Sequence, residues 1–122
     1  MPMAVGLLLC ADTEVRQRLA DGLRNQQMQV IEATSPDEAF QLAQFGRLQF
    51  VVADDGGEGV TEMCRQLRAS PSTTALLIIL VSGVARDAHA LRVIGVDAQL
   101  TTPTDADAIA ATITRELRHQ CA

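Results

Sequence analysis

A doubly wound α/β domain is the fold class this sequence predicts, on three observations. Short apolar runs alternate with amphipathic stretches five times along the chain. Two of the runs, "FVVAD" (50–54) and "ALLIILVS" (75–82), are apolar almost without a break, as in strands covered on both faces. The stretches between runs repeat apolar residues at helical spacing. Parallel strands need crossovers, and right-handed crossovers put helices on both faces of one sheet.

Each element has its own grounds. "AVGLLLC" (4–10) reads as the first strand, and Val15, Leu19 and Leu23 place an apolar stripe on the helix after it. "MQVIEA" (28–33) alternates weakly, as an edge strand does. "SPDE" (35–38) supplies an N-cap at Ser35, proline at the first helical position and Glu38 as reciprocal cap. That helix carries Ala39, Phe40 and Ala43 and ends near Gly46. After the strand 50–54, Val60, Met63, Cys64 and Leu67 mark the third helix. "ALLIILVS" is the central strand. A short helix over 87–94 closes on Gly95, "AQLT" (98–101) is the last strand, and 104–119 is the last helix. That helix turns Ile109, Ile113 and Leu117 inward, with Thr104 as cap. Five β–α units in succession predict a flavodoxin-like, five-stranded parallel sheet of order 2-1-3-4-5, with residues 1–122 forming one domain.

Composition narrows the function. The chain has 122 residues, net charge −5, three Phe and no Trp or Tyr. All ten basic residues are arginine. The core is therefore aliphatic, and neither aromatic stacking on single strands nor a basic stripe for a phosphate backbone is available, so nucleic acid is not an expected partner. No stretch is apolar enough to span a bilayer. "VGLLLCA" (5–11) faintly matches a lipoprotein box but lacks a positively charged lead. Cys10, Cys64 and Cys121 are too scattered for a disulfide framework or zinc site, and His89 and His119 have no metal-ligand spacing to them. A reducing cytoplasm is the expected location.

In a sheet of this order, ligands bind beyond the carboxyl ends of the strands, where the winding reverses between strands 1 and 3. Cys10, Ala11 and Asp12 leave strand 1 there, and Asp54 and Asp55 leave strand 3 beside them. Adjacent carboxylates repel unless solvated or holding a cation. Asp12 suits the N-cap of the first helix, Asp54 hydrogen bonds to backbone N–H groups that fix the neighbouring loop, and Asp55 and Glu58 a solvated loop. Cys10 and Cys64 read as core residues, the former with its thiol pKa raised by the carboxylates nearby. His89 and His119 read as helix-surface residues.

Several stretches then carry a resemblance. "LLLCADTEVRQRL", with Arg16; "FVVAD", ending on Asp54; "CRQLRAS"; "LVSG" (80–83); and "GVDAQLTTP" (95–103), with Pro103, follow one another as in the receiver domains of two-component response regulators. The resemblance covers nearly the whole chain. It implies Asp54 as phosphoacceptor position, Ser82 as switch position, Thr102 where a lysine is expected, and a peptide bond before Pro103 that is commonly cis. It also implies a partner in a histidine-kinase pathway and a surface for dimerisation or effector docking. That surface spans residues 82–95 together with the last strand and helix, where Val84, Ala85 and Ala88 offer an apolar patch.

The departures are chemical. The two acids expected after strand 1 are Cys10 and Ala11, the lysine is Thr102, the aromatic switch position is Gln99, and the loop "DGGEG" is short. Phosphoryl transfer to a carboxylate depends on charge neutralisation by metal and lysine. Losing one such stabiliser costs about 3 kcal/mol, roughly a hundredfold in rate. The expectation is a degenerate pseudo-receiver: not an enzyme, without a cofactor, with only negative groups at the site, and acting through a protein partner or its own copy. The alternatives are a weak phosphoacceptor in which Asp12, Asp54 and Asp55 hold magnesium, and a flavodoxin-like module that binds a small ligand in the crevice.

Overall fold

The computed structural model describes residues 4–121. Five β–α units follow in order: β1 Val5–Leu9, α1 Thr13–Asn25, β2 Gln29–Ala33, α2 Pro36–Phe45, β3 Phe50–Asp54, α3 Val60–Ala69, β4 Leu77–Ser82, α4 Ala88–Val93, β5 Ala98–Thr101 and α5 Ala106–Cys121. All strand pairs are parallel and the order is β2-β1-β3-β4-β5, as the sequence predicts.

Strand periodicity sorts the core into two layers. Leu7, Leu9, Val51, Ala53, Ile78 and Leu80 point to one face, packed by α2 and α3 through Ala39, Ala43, Met63, Cys64 and Leu67. Leu8, Phe50, Val52, Leu77, Ile79 and Val81 point to the other, packed by Leu19, Leu23, Ile109 and Ile113 of α1 and α5. This is why the central strands read as unbroken apolar runs. Burying each of these side chains stabilises the fold by about 1.5–3 kcal/mol. β1 tolerates no side chain at Gly6, where a Cβ would overlap the ring of Phe50.

Helix ends follow local chemistry. Asp12 caps α1 by accepting from Val15 N–H at 3.0 Å, and Ser35 caps α2 by accepting from Glu38 N–H at 3.2 Å. Glu38 returns its carboxylate to Thr34 N–H, one residue before the expected partner. α5 differs from expectation: Asp105, not Thr104, caps it by accepting from Ala108 N–H at 2.8 Å. The neighbouring carboxylate, nearer the opening helix N–H groups, takes that role. The apolar run from 75 also begins its strand only at Leu77, because Leu76 N–H bonds Thr73 O and closes a turn.

α4 ends in a Schellman arrangement. Gly95 takes φ +80°, its N–H bonds Arg92 O, and Val96 N–H bonds Leu91 O. Arg68 then fastens this corner. Its guanidinium donates to Gly95 O, Leu76 O and Thr74 O and pairs with Asp97 Oδ2 at 2.7 Å. Arg16 does the same work at the other end, donating to Cys10 O at 3.0 Å and to Glu32 Oε1 at 3.1 Å.

Candidate functional site

The carboxyl ends of β1, β3, β4 and β5 converge on one rim of the sheet. β3 delivers two carboxylates there, and they part. Asp54 Oδ1 accepts from Gly56 N–H at 2.8 Å, a bond to backbone N–H of the loop-fixing kind expected from the sequence. Its Oδ2 accepts from the Cys10 thiol at 3.7 Å. Asp54 therefore faces β1 and a cleft of about 370 Å³ lined by Cys10, Asp12, Pro36, Gly57 and Val60 among others. Asp55 turns instead toward β4.

The β4 side holds a cation that the sequence reading did not assign. Arg86, in the loop after β4, donates from Nη2 to Asp55 Oδ2 at 2.7 Å and from Nη1 to Ser82 Oγ at 3.1 Å. Both partners of the ion pair are mostly enclosed, with side chains 24% and 17% exposed. The expectation of a site with only negative groups is thereby corrected, and so is that of Asp55 as a solvated loop acid. Repulsion between neighbouring carboxylates is relieved by pairing one of them.

Ser82 sits at the centre of this cluster. Its hydroxyl donates to Asp55 Oδ2 at 3.2 Å and accepts from Val84 N–H at 3.1 Å and from Arg86 Nη1. A hydroxyl has one proton and two lone pairs, so all of its capacity is in use. Gln99, at the position expected to be aromatic, completes the arrangement from β5. Its Oε1 accepts from Arg86 N–H at 3.2 Å and its Nε2 donates to Val84 O at 2.6 Å. Thr102 lies exposed just past β5, bonded to Ser82 O by its backbone N–H at 3.0 Å, and the Thr102–Pro103 peptide is cis.

Cys10 is buried beside Asp54. Removal from water, with the Asp54 and Asp12 carboxylates adding to it against the Asp12 backbone contact, raises the thiol pKa. Burial, with a smaller contribution from Asp55, pushes Cys64 up to about 12. Both thiols are thus neutral core groups. His89 and His119 are exposed on α4 and α5. Cys121 ends α5, and its side chain lies outside the described residues.

The three rim carboxylates already hold partners within the chain. Asp12 is committed to its cap, Asp54 to Gly56 and Cys10, and Asp55 to Arg86 and Ser82. Among the described residues no three His, Cys, Asp or Glu side chains come together as ligands. Nor is any helix among them long and apolar enough to cross a membrane.

No protein-family model matches the sequence, and no curated protein sequence matches it either. Solved structures do. The chemotaxis response regulator CheY4 of Vibrio cholerae superposes with TM-score 0.85 at 19% identity, over 93% of this chain and 98% of that one. The fold is that of CheY-like receiver domains. A receiver domain protein from Methanospirillum hungatei JF-1 gives TM-score 0.85 at 17% identity, covering 98% of this chain and 97% of its own. The receiver domain of Saccharomyces cerevisiae Ssk1, solved with the histidine phosphotransfer protein Ypd1, gives 0.77 at 20% identity over 93% and 88%. Within the receiver fold, the rim described above is where β1, β3, β4 and β5 present Asp54, Ser82 and Thr102.

Two features of the site were beyond sequence reading. Arg86 and Asp55 stand 31 positions apart on separate loops, so no local pattern joins them. The trace in the sequence is an arginine four residues after Ser82, in a loop otherwise lacking basic residues. Gln99 stands where the resemblance implies an aromatic, and its two hydrogen bonds to the loop give it a positive role.

Proposed function

We propose that this chain is a receiver-like signalling module that works without phosphorylation at Asp54 and without catalysis, by binding a protein partner. One observation carries the reading: the site's arginine is bound to Asp55 and Ser82 rather than to Asp54. Asp54 instead spends its oxygens on Gly56 N–H and the Cys10 thiol. An anion arriving at Asp54 would meet an unneutralised carboxylate, and Thr102 offers no charge where the resemblance expects a lysine. The Ssk1 receiver, whose complex is with a phosphotransfer protein, supports a protein partner within a two-component pathway. A cytoplasmic location accords with this reading.

The test is incubation with magnesium and acetyl phosphate or beryllofluoride, followed by intact mass and NMR shifts. The expected result is no adduct. A stoichiometric adduct that Asp54→Asn abolishes would overturn the reading and install the weak-phosphoacceptor alternative.

A further inference from the structure

We infer that Asp55, Ser82, Arg86 and Gln99 form a latch that holds the β4–α4 loop closed whatever the state of Asp54. The proposal rests on the phosphorylation-independent reading above and supplies its physical means.

Three side chains from β3, β4 and β5 grip two residues of the loop, Val84 and Arg86. Asp55, just past β3, holds the Arg86 guanidinium at 2.7 Å. Ser82, at the end of β4, holds the same guanidinium and the Val84 N–H, each at 3.1 Å. Gln99, on β5, holds the loop backbone at both Val84 O and Arg86 N–H. Arg86 is thus fixed through its head group and its amide together. Releasing it requires breaking a mostly enclosed ion pair and exposing a carboxylate whose other bond is to Ser82.

The latch also engages the hydroxyl and the guanidinium that stand nearest the rim's carboxylates. Ser82 has no proton left to offer, since its single O–H is given to Asp55. Arg86 has its two terminal nitrogens on Asp55 and Ser82. Directly after the loop, Asp87 caps α4 by accepting from Ala90 N–H at 2.8 Å. Fixing Arg86 therefore fixes where α4 begins and keeps Val84, 65% exposed, at the surface.

Amide hydrogen exchange on the full chain, resolved by residue with NMR, tests this. The Val84 and Arg86 amides donate into the latch and report it directly. In the wild type both should exchange slowly. Asp55→Asn, Arg86→Gln and Gln99→Leu, each checked for native circular dichroism, should speed these two amides about tenfold or more while the amides of β1 and β3 hold. Asp54→Asn should leave them unchanged. The reversed pair Asp55→Arg with Arg86→Asp should recover part of the protection, which loss of packing alone would not allow. Fast exchange in the wild type, or equal loosening by Asp54→Asn, would overturn the latch. So would equal protection in the wild type and Arg86→Gln. These results are separate from the acetyl phosphate assay: an adduct at Asp54 with the latch amides still protected sinks the proposed function, whereas no adduct with unprotected amides sinks only the latch.

Discussion

Arg86 reaches across the rim of the sheet to Asp55, Nη2 to Oδ2 at 2.7 Å, and leaves Asp54 one position earlier without a cation among the described residues. That choice of partner sets the energetics of the site. Arg86→Ala strands a mostly enclosed carboxylate and is expected to cost about 1–3 kcal/mol in urea denaturation. The double change with Asp55→Asn should cost less than the sum of the two single changes. Strict additivity would mean that the pair does not couple.

Charge restoration tests the same balance from the other side. Ala11→Asp with Thr102→Lys supplies an acid after β1 and a cation after β5. The expected outcome is Asp54 labelling by acetyl phosphate at least about a hundredfold faster than in the wild type. A folded double variant that stays inert would transfer the defect to the short "DGGEG" loop.

Asp12 separates capping from metal binding. Asparagine caps as well as aspartate, so Asp12→Asn should leave stability within about 0.5 kcal/mol while Asp12→Ala loses about 1 kcal/mol. Thermal unfolding with and without magnesium checks this. A magnesium-dependent stabilisation lost in Asp12→Asn would show that the carboxylate holds the ion.

Arg68 binds three carbonyls and Asp97 at the far end of the sheet. Arg68→Lys keeps the charge but loses the planar fork, and should recover little of the roughly 2–3 kcal/mol lost by Arg68→Ala. Urea midpoints of the two variants decide it. Near-wild-type stability in the lysine form would reduce Arg68 to a point charge.

Alkaline stability reads the buried thiols. With no lysine and no tyrosine, cysteines are the side chains expected to titrate between pH 9 and 12. Cys64 rises from 9.0 unfolded to about 12 folded, so the unfolded chain gives up its proton first. Stability is then complete below pH 9 and falls as pH climbs toward 12, by about 1.4 kcal/mol per pH unit for this thiol. Cys64→Ala lowers stability at pH 8 but should flatten that slope. An unchanged slope would place the thiol in water.

Much of this was legible beforehand, for identifiable reasons. The unbroken runs 50–54 and 75–82, Ser35 before Pro36, Asp12 before α1 and Gly95 after α4 all act through neighbours a few residues away. Asp54's bond to Gly56 N–H is equally local. The choice of Asp105 over Thr104 was a contest between adjacent cap residues that only the backbone path decides. Arg86 was hidden because its partners come from other strand ends, brought together only once the sheet closes.

The sorting of odd and even strand residues has a mechanical outcome. β1, β3 and β4 each give alternate side chains to both interior layers. Neither layer can melt while the other survives, because the same backbone is the floor of one and the ceiling of the other. Heat or urea should therefore dismantle the molecule in one step, with probes on either side of the sheet reporting the same midpoint.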